Sequence, residues 1–275
     1  MEWVSDVSKQ QRGQYDLLIE KVFLKHYEPG ATQFSFKRDE LIDAADELGI
    51  ERPKNLGDVI YSYRFRKTLP AAITKTAPEG MEWIIRLAGT GRYRFTLVQN
   101  AVLRPSPGRL EIKVPDATPA IIVENAQGDE QALLAIVRYN RLIDLFLRLT
   151  CYSLQNHLRT QIPEVGQIEI DELYVGVNRR GEQCVVPVQA KGGKDKLSIV
   201  QVEQDVAFCR QKFPSLTCRP VAAQFMRDGA VALLELASSD TDDVVIANEA
   251  HYRLVPPGEI SPEDLEQYRM GGPDE

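Results

Sequence analysis

The chain has 275 residues, 43 % of them hydrophobic, and a formal net charge of −7. That length suits two domains with sizeable cores, and no apolar run approaches the roughly 18 residues that a membrane span needs. Its four cysteines (Cys151, Cys184, Cys209, Cys218) lack C-x-x-C spacing, which argues against structural zinc and for buried thiols in a reducing compartment.

Met1-Glu-Trp-Val-Ser-Asp6 has no basic flank or apolar core, so a cytoplasmic location without a secretory signal is expected. Residues 11–27 carry Tyr15, Leu18, Ile19, Val22 and Phe23 at helical spacing. Phe34–Phe36 reads as a short strand and Lys37–Leu48 as a helix stopped by Gly49. Asn55–Leu69 reads as a third helix, N-capped by Asn55 and ended before Pro70. Glu82–Leu87 and Tyr93–Val98 then flank Gly89-Thr-Gly91, a hairpin signal. Three helices followed by a hairpin resemble a winged helix-turn-helix module.

That resemblance implies DNA recognition through the third helix, where Tyr61-Ser-Tyr63-Arg64-Phe65-Arg66-Lys67 interleaves basic and aromatic residues. Tyr61 and Phe65, four apart, also suit a core, and at least one of them is expected there. Arg64, Arg66 and Lys67, with Arg92 and Arg94 of the hairpin, are the candidate DNA-binding residues. The overall acidity does not oppose this. Residues 1–100 carry 15 Lys/Arg against 14 Asp/Glu, and the remainder 18 against 26. Local patches, not net charge, set phosphate contact.

Prolines 105, 107, 115 and 119 mark residues 101–119 as a linker with one short strand, Leu110–Val114. The second domain is expected over 120–275. Asp129–Arg159 reads as a long apolar helix with a break near Thr150. Then comes Gln167-Ile-Glu169-Ile-Asp171-Glu172-Leu-Tyr-Val-Gly-Val-Asn178-Arg-Arg-Gly181, followed by Val185-Val-Pro187-Val-Gln189-Ala-Lys191-Gly-Gly193. A three-residue loop closed by left-handed Gly181 pairs Asn178 with Glu182. Asp171 then stands opposite Gln189 and Glu169 opposite Lys191, all four on one face. Ile168, Ile170, Tyr174, Val186, Val188 and Ala190 take the other face as core. Glu172 falls on that apolar face beside Val188 unless a bulge re-aims it. Pro187 cannot donate to a ladder and calls for an edge or a bulge.

An acid on one strand facing Gln-x-Lys on the next resembles the PD-(D/E)xK superfamily, the fold of many type II restriction endonucleases. The resemblance covers roughly residues 120–215. It implies an α/β (α+β) domain with a mixed β-sheet flanked by helices. It implies Asp171 and Gln189 as ligands of Mg2+, with Mn2+ a substitute, Lys191 as the group that orients water and offsets charge, and Glu169 as an auxiliary acid. It also offers Glu130 from the preceding helix, with Asp144 behind it, although an acid suits a first helical turn in any case. Ile170 replaces the family's proline. Gln189 replaces its second acid and removes one negative charge.

Asp195–Phe213 reads as a further helix, with Gln201, Gln204 and Asp205 on a polar face beside the site. Strands follow at Arg219–Met226, Ala230–Leu236, Val244–Ala247 and His251–Val255, and the acidic tail after Pro256 is expected to be mobile. The three histidines share no metal or triad spacing, and no Walker pattern is present, so no nucleotide cofactor is expected. The functional expectation is an Mg2+-dependent endonuclease of restriction type, acting on double-stranded DNA as a homodimer. A non-catalytic DNA-binding regulator and a structure-specific repair nuclease are the alternatives.

Overall fold

The computed structural model describes residues 13–99, 101–125, 130–162, 165–192, 197–238 and 244–270. They divide into two units, one within Met1–Val102, Gln161–Gln167 and Ser198–Gln201, the other within Leu103–Thr160, Ile168–Leu197 and Val202–Glu275. No described helix is long and apolar enough to cross a membrane.

The first unit begins with α1 (Gln14–His26), whose Leu18, Ile19, Val22 and Phe23 form one apolar stripe and are buried. β1 (Gln33–Lys37) and α2 (Glu40–Leu48) follow, and left-handed Gly49 ends α2. Asn55 caps α3 (Leu56–Tyr61), its side chain accepting the Gly57 N–H at 3.0 Å. The helix then widens into one π turn, Ser62–Arg66, instead of running regularly to residue 69. The short α4 (Ala71–Thr74) leads to β2 (Met81–Leu87) and β3 (Arg92–Gln99), and the sheet order is β1-β3-β2. Both pairings are antiparallel. Phe23 anchors the core, with the rings of Tyr27, Phe34, Trp83 and Phe95 all about it.

Val59, Ile60 and Tyr63 are the buried face of the third helical segment. Tyr61 and Phe65 instead pack on each other outside it, with centroids 4.9 Å apart, and Tyr61 is 38 % exposed. The expected core position therefore goes to Tyr63, whose hydroxyl also donates to Asp16.

The remaining strands and helices are β4 (Val102–Leu103), β5 (Glu111–Pro115), α5 (Ala120–Asn125), α6 (Glu130–Tyr139), α7 (Leu142–Leu147), β6 (Thr150–Ile162), β7 (Gly166–Val177), β8 (Gln183–Lys191), β9 (Leu197–Ser198), α8 (Ile199–Lys212), β10 (Thr217–Cys218), β11 (Val221–Phe225), β12 (Val231–Ser238), β13 (Val244–Val255) and α9 (Pro262–Met270). One eight-stranded mixed sheet runs β5-β13-β12-β11-β8-β7-β6, with β10 also on β8. β8 is parallel to β10 and β11, and β13 to β5. α6 and α7 contribute Leu133, Val137, Ile143 and Phe146 to the core over Val186, Val188, Ala223 and Leu233. All four cysteines are free thiols, and Cys151, Cys184 and Cys209 are buried.

Three segments differ from expectation. The long helix is two short ones, broken where Arg141 (φ 50°) and Arg148 (φ 53°) take left-handed backbone, and residues 150–162 form edge strand β6. The Asp144 carboxylate takes the Cys151 N–H at 3.0 Å and fixes this reversal. The supposed linker is bound into the second unit. β5 extends the sheet, and Ser106 donates to Glu249 through its N–H at 2.7 Å and its hydroxyl at 2.8 Å. Within the tail, Pro262–Met270 form α9, where the Tyr268 hydroxyl accepts the Lys113 N–H and Asp264 pairs with Lys113 Nζ, both at 2.9 Å.

Pro187 sits mid-strand without a bulge, opposite Leu173. On its other side the parallel ladder is interrupted: β10 ends opposite Val185, β11 begins opposite Val188, and Arg219 and Pro220 lie between. The missing N–H of Pro187 therefore falls at a break in that ladder.

Candidate functional site

The β7–β8 hairpin has the register deduced from its turn. Pairs run from Val177–Gln183 to Glu172–Val188. Gly181 takes φ 82°, and the Asn178 carboxamide oxygen accepts the N–H groups of Arg180 at 2.9 Å and Glu182 at 3.0 Å.

Regular pairing stops at Glu172, and side chains replace the ladder. The Ala190 N–H donates to Asp171 Oδ2 at 2.8 Å, and Gln189 Nε2 donates to the Glu169 carbonyl at 2.9 Å. An uninterrupted ladder would have sent the Ala190 N–H to the Ile170 carbonyl. The strands thus part beside Asp171, which is half-buried, while Gln189 is buried.

Lys191 and Glu169, opposite each other by register, find other partners. Lys191 Nζ lies 3.5 Å from Glu130 Oε1, the acid that opens α6. Glu169 is held by Arg159 of β6, through Nε at 2.9 Å and Nη2 at 2.6 Å. Reading residues 150–159 as helix concealed this second pairing.

Glu172 lies on the far face, as its register requires, with no bulge to turn it. It is fully buried there, accepting Arg138 Nε at 2.9 Å and Ser153 Oγ at 2.8 Å, and so stands apart from the Asp171 group. Gln204 is buried on α8, and Gln201 keeps a buried side-chain oxygen without a hydrogen-bond partner among the described residues.

The α8 residue that reaches the site is Asp205, 2 % exposed, with Oδ2 3.0 Å from Gln189 Nε2. Burial pushes its carboxyl well above the ordinary carboxylate range, opposed by the Gln189 amide and reinforced by the charge of Asp171. Burial also raises Asp171, with Glu169 adding to it and the Ala190 N–H, Lys191 and His157 opposing. The signal for Asp205 in the sequence was its i, i+4 spacing from Gln201 on a polar stripe, too common to single it out. Asp129, Gly193 and Asp195 lie outside the described residues.

In the first unit, Lys37, Arg92, Arg94 and Arg86 share one face of the three-stranded sheet, since Lys37 pairs with Arg92 and Arg86 with Arg94. On the π turn, Arg64 lies over Phe65 at 4.8 Å and Arg66 over Tyr61 at 4.9 Å, while Lys67 lies 5.8 Å from the Tyr15 ring. Arg66, Lys67, Arg92 and Arg94 are exposed.

Asp171, Asp205 and the Gln189 carboxamide provide hard oxygen donors of the kind Mg2+ takes, usually one or two carboxylates with water. Among the described residues, no three or more His, Cys, Asp or Glu side chains are gathered as a metal-holding group. Comparison with known proteins finds no matching family model, curated protein or solved structure.

Proposed function

We propose that this protein is an Mg2+-dependent DNA endonuclease of restriction type. The observation that carries the reading is the parting of β7 and β8 at Asp171, where side chains replace the ladder, with Gln189 and Lys191 on the facing strand and Glu130 beside the lysine. Asp171 and Gln189 are the residues that would hold the ion. When bound, Mg2+ would polarise the phosphoryl group and acidify water.

The protein's own groups do the rest. The Lys191 side chain is only 12 % exposed, so its attraction for a developing phosphate charge is weakly screened. Glu130 steadies that ammonium, and Arg159 steadies Glu169 as an auxiliary acid. Recognition is assigned to a winged-helix-like first domain, supported by its element order and by its basic residues Arg64, Arg66, Lys67, Arg92 and Arg94. A palindromic site would match a two-fold homodimer.

The test is plasmid cleavage with Mg2+ or Mn2+ by the wild type and Lys191→Ala. Cleavage by the wild type and a loss of at least about a hundredfold in the variant are expected for one charge-stabilising group. Equal cleavage ends the assignment. The competing reading is a non-catalytic DNA-binding regulator, favoured by the neutral side chain at position 189. Calorimetry that finds no heat with Mg2+ or Mn2+, beside salt-sensitive DNA binding, selects it.

A further inference from the structure

Gln189 is where the site departs from an acid-x-Lys pattern, and its surroundings give a reason for the amide. Nε2 donates to the Glu169 carbonyl at 2.9 Å and to Asp205 Oδ2 at 3.0 Å. Both residues of the side-chain pair are buried, at 3 % and 2 % exposure. Both partners are acceptors. A carboxylate at 189 would set an oxygen against the Glu169 carbonyl, which has no proton to give, and against a second acid in place of an amide donor, an unmet contact that burial makes costly. With both amide protons engaged, the planar carboxamide has one free group left, Oε1, directed away from those acceptors.

We infer that Gln189 and Asp205 form an exchanged amide–acid pair, in which the strand carries the amide, α8 carries the carboxylate, and Asp205 is the positioning residue that fixes where the Gln189 oxygen points. The catalytic consequence rests on the nuclease reading, but the pairing does not. One corollary is that restoring an acid at position 189 damages the site. Asp205→Asn in the same chain should repair it, because the Asn amide can donate to the new carboxylate.

The experiment is a double-mutant cycle on the full chain: wild type, Gln189→Glu, Asp205→Asn and the double variant. Three readouts are taken: the thermal midpoint without metal, Mn2+ affinity by calorimetry, and plasmid cleavage. Gln189→Glu should melt below the wild type and bind Mn2+ about tenfold more weakly despite its added negative charge, the size of one lost hydrogen bond. The double variant should recover both. A Gln189→Glu protein that matches or exceeds the wild type in midpoint and Mn2+ affinity overturns the inference, as does a double variant no better than Gln189→Glu. If no variant and no wild type cleaves DNA, the nuclease reading fails, while the midpoints still decide the pairing.

Discussion

Asp171 and Glu172 are adjacent carboxylates with opposite fates, because successive strand residues face opposite sides of a sheet. Asp171 meets the Ala190 N–H and feels the charge of Lys191; Glu172 is sealed against Arg138 and Ser153. Removing Arg138 would leave a fully buried carboxylate without its cationic partner. Arg138→Met should therefore cost about 3 kcal/mol, read as a lower denaturant midpoint at unchanged slope. Asp205 makes the converse case. Its carboxyl lies well above 3.8, so the native state holds the proton that the unfolded chain releases. Its stability cost is absent below 3.8, grows as pH rises toward the raised folded value, and is complete above it. Asp205→Asn should thus raise the metal-free midpoint near neutral pH and leave it unchanged near about pH 3. Asp171, Gln189 and Lys191 were legible beforehand because a period of two and a glycine turn determine which side chains share a face. Asp205 was legible only as one of three polar residues on the α8 face beside the site, because the phase of α8 that brings it to Gln189 depends on packing that no local pattern encodes.

At the scale of elements, the β7–β8 turn is the best-specified piece of the chain. Asn178 uses its side-chain oxygen twice, and Gly181 takes a backbone conformation that side chains resist. Gly181→Ala should cost about 1–2 kcal/mol in thermal or chemical unfolding without changing the register, which the apolar face of the hairpin independently enforces. β6 shows the limit of local reading. Thr150–Ile162 contains Leu, Gln and Arg, good helix formers, yet it lies along β7 as the sheet edge. Ladder bonding and the Arg159–Glu169 contact outweigh propensities worth only tenths of a kcal/mol per residue. The same holds for α9, whose attachment to β5 through Tyr268 and Asp264 has no local signature.

At the scale of the whole molecule, the net charge of −7 is an average over a near-neutral N-terminal hundred residues and an acidic remainder. Lys37, Arg86, Arg92 and Arg94 share a sheet face because cross-strand partners project together. If that face contacts phosphates, Arg92→Ala with Arg94→Ala should weaken DNA binding uniformly across sequences. The slope of log affinity against log salt should shrink by about 2, measured by titration at several ionic strengths.

Much of this architecture is local and was written in the chain. Helix caps at Asn55 and Gly49, the Gly181 turn and the alternation along β7 and β8 each depend on a few neighbouring residues and elementary sterics. The closing steps were long-range: β6 beside β7, β5 beside β13, Glu130 against Lys191 and Asp205 beneath Gln189. Each joins residues at least 10 and as many as 142 positions apart. Their energies come from burial and hydrogen bonding realised only when the sheet assembles. The hairpin therefore announced a polar site, and the folded sheet decided which carboxylates share it.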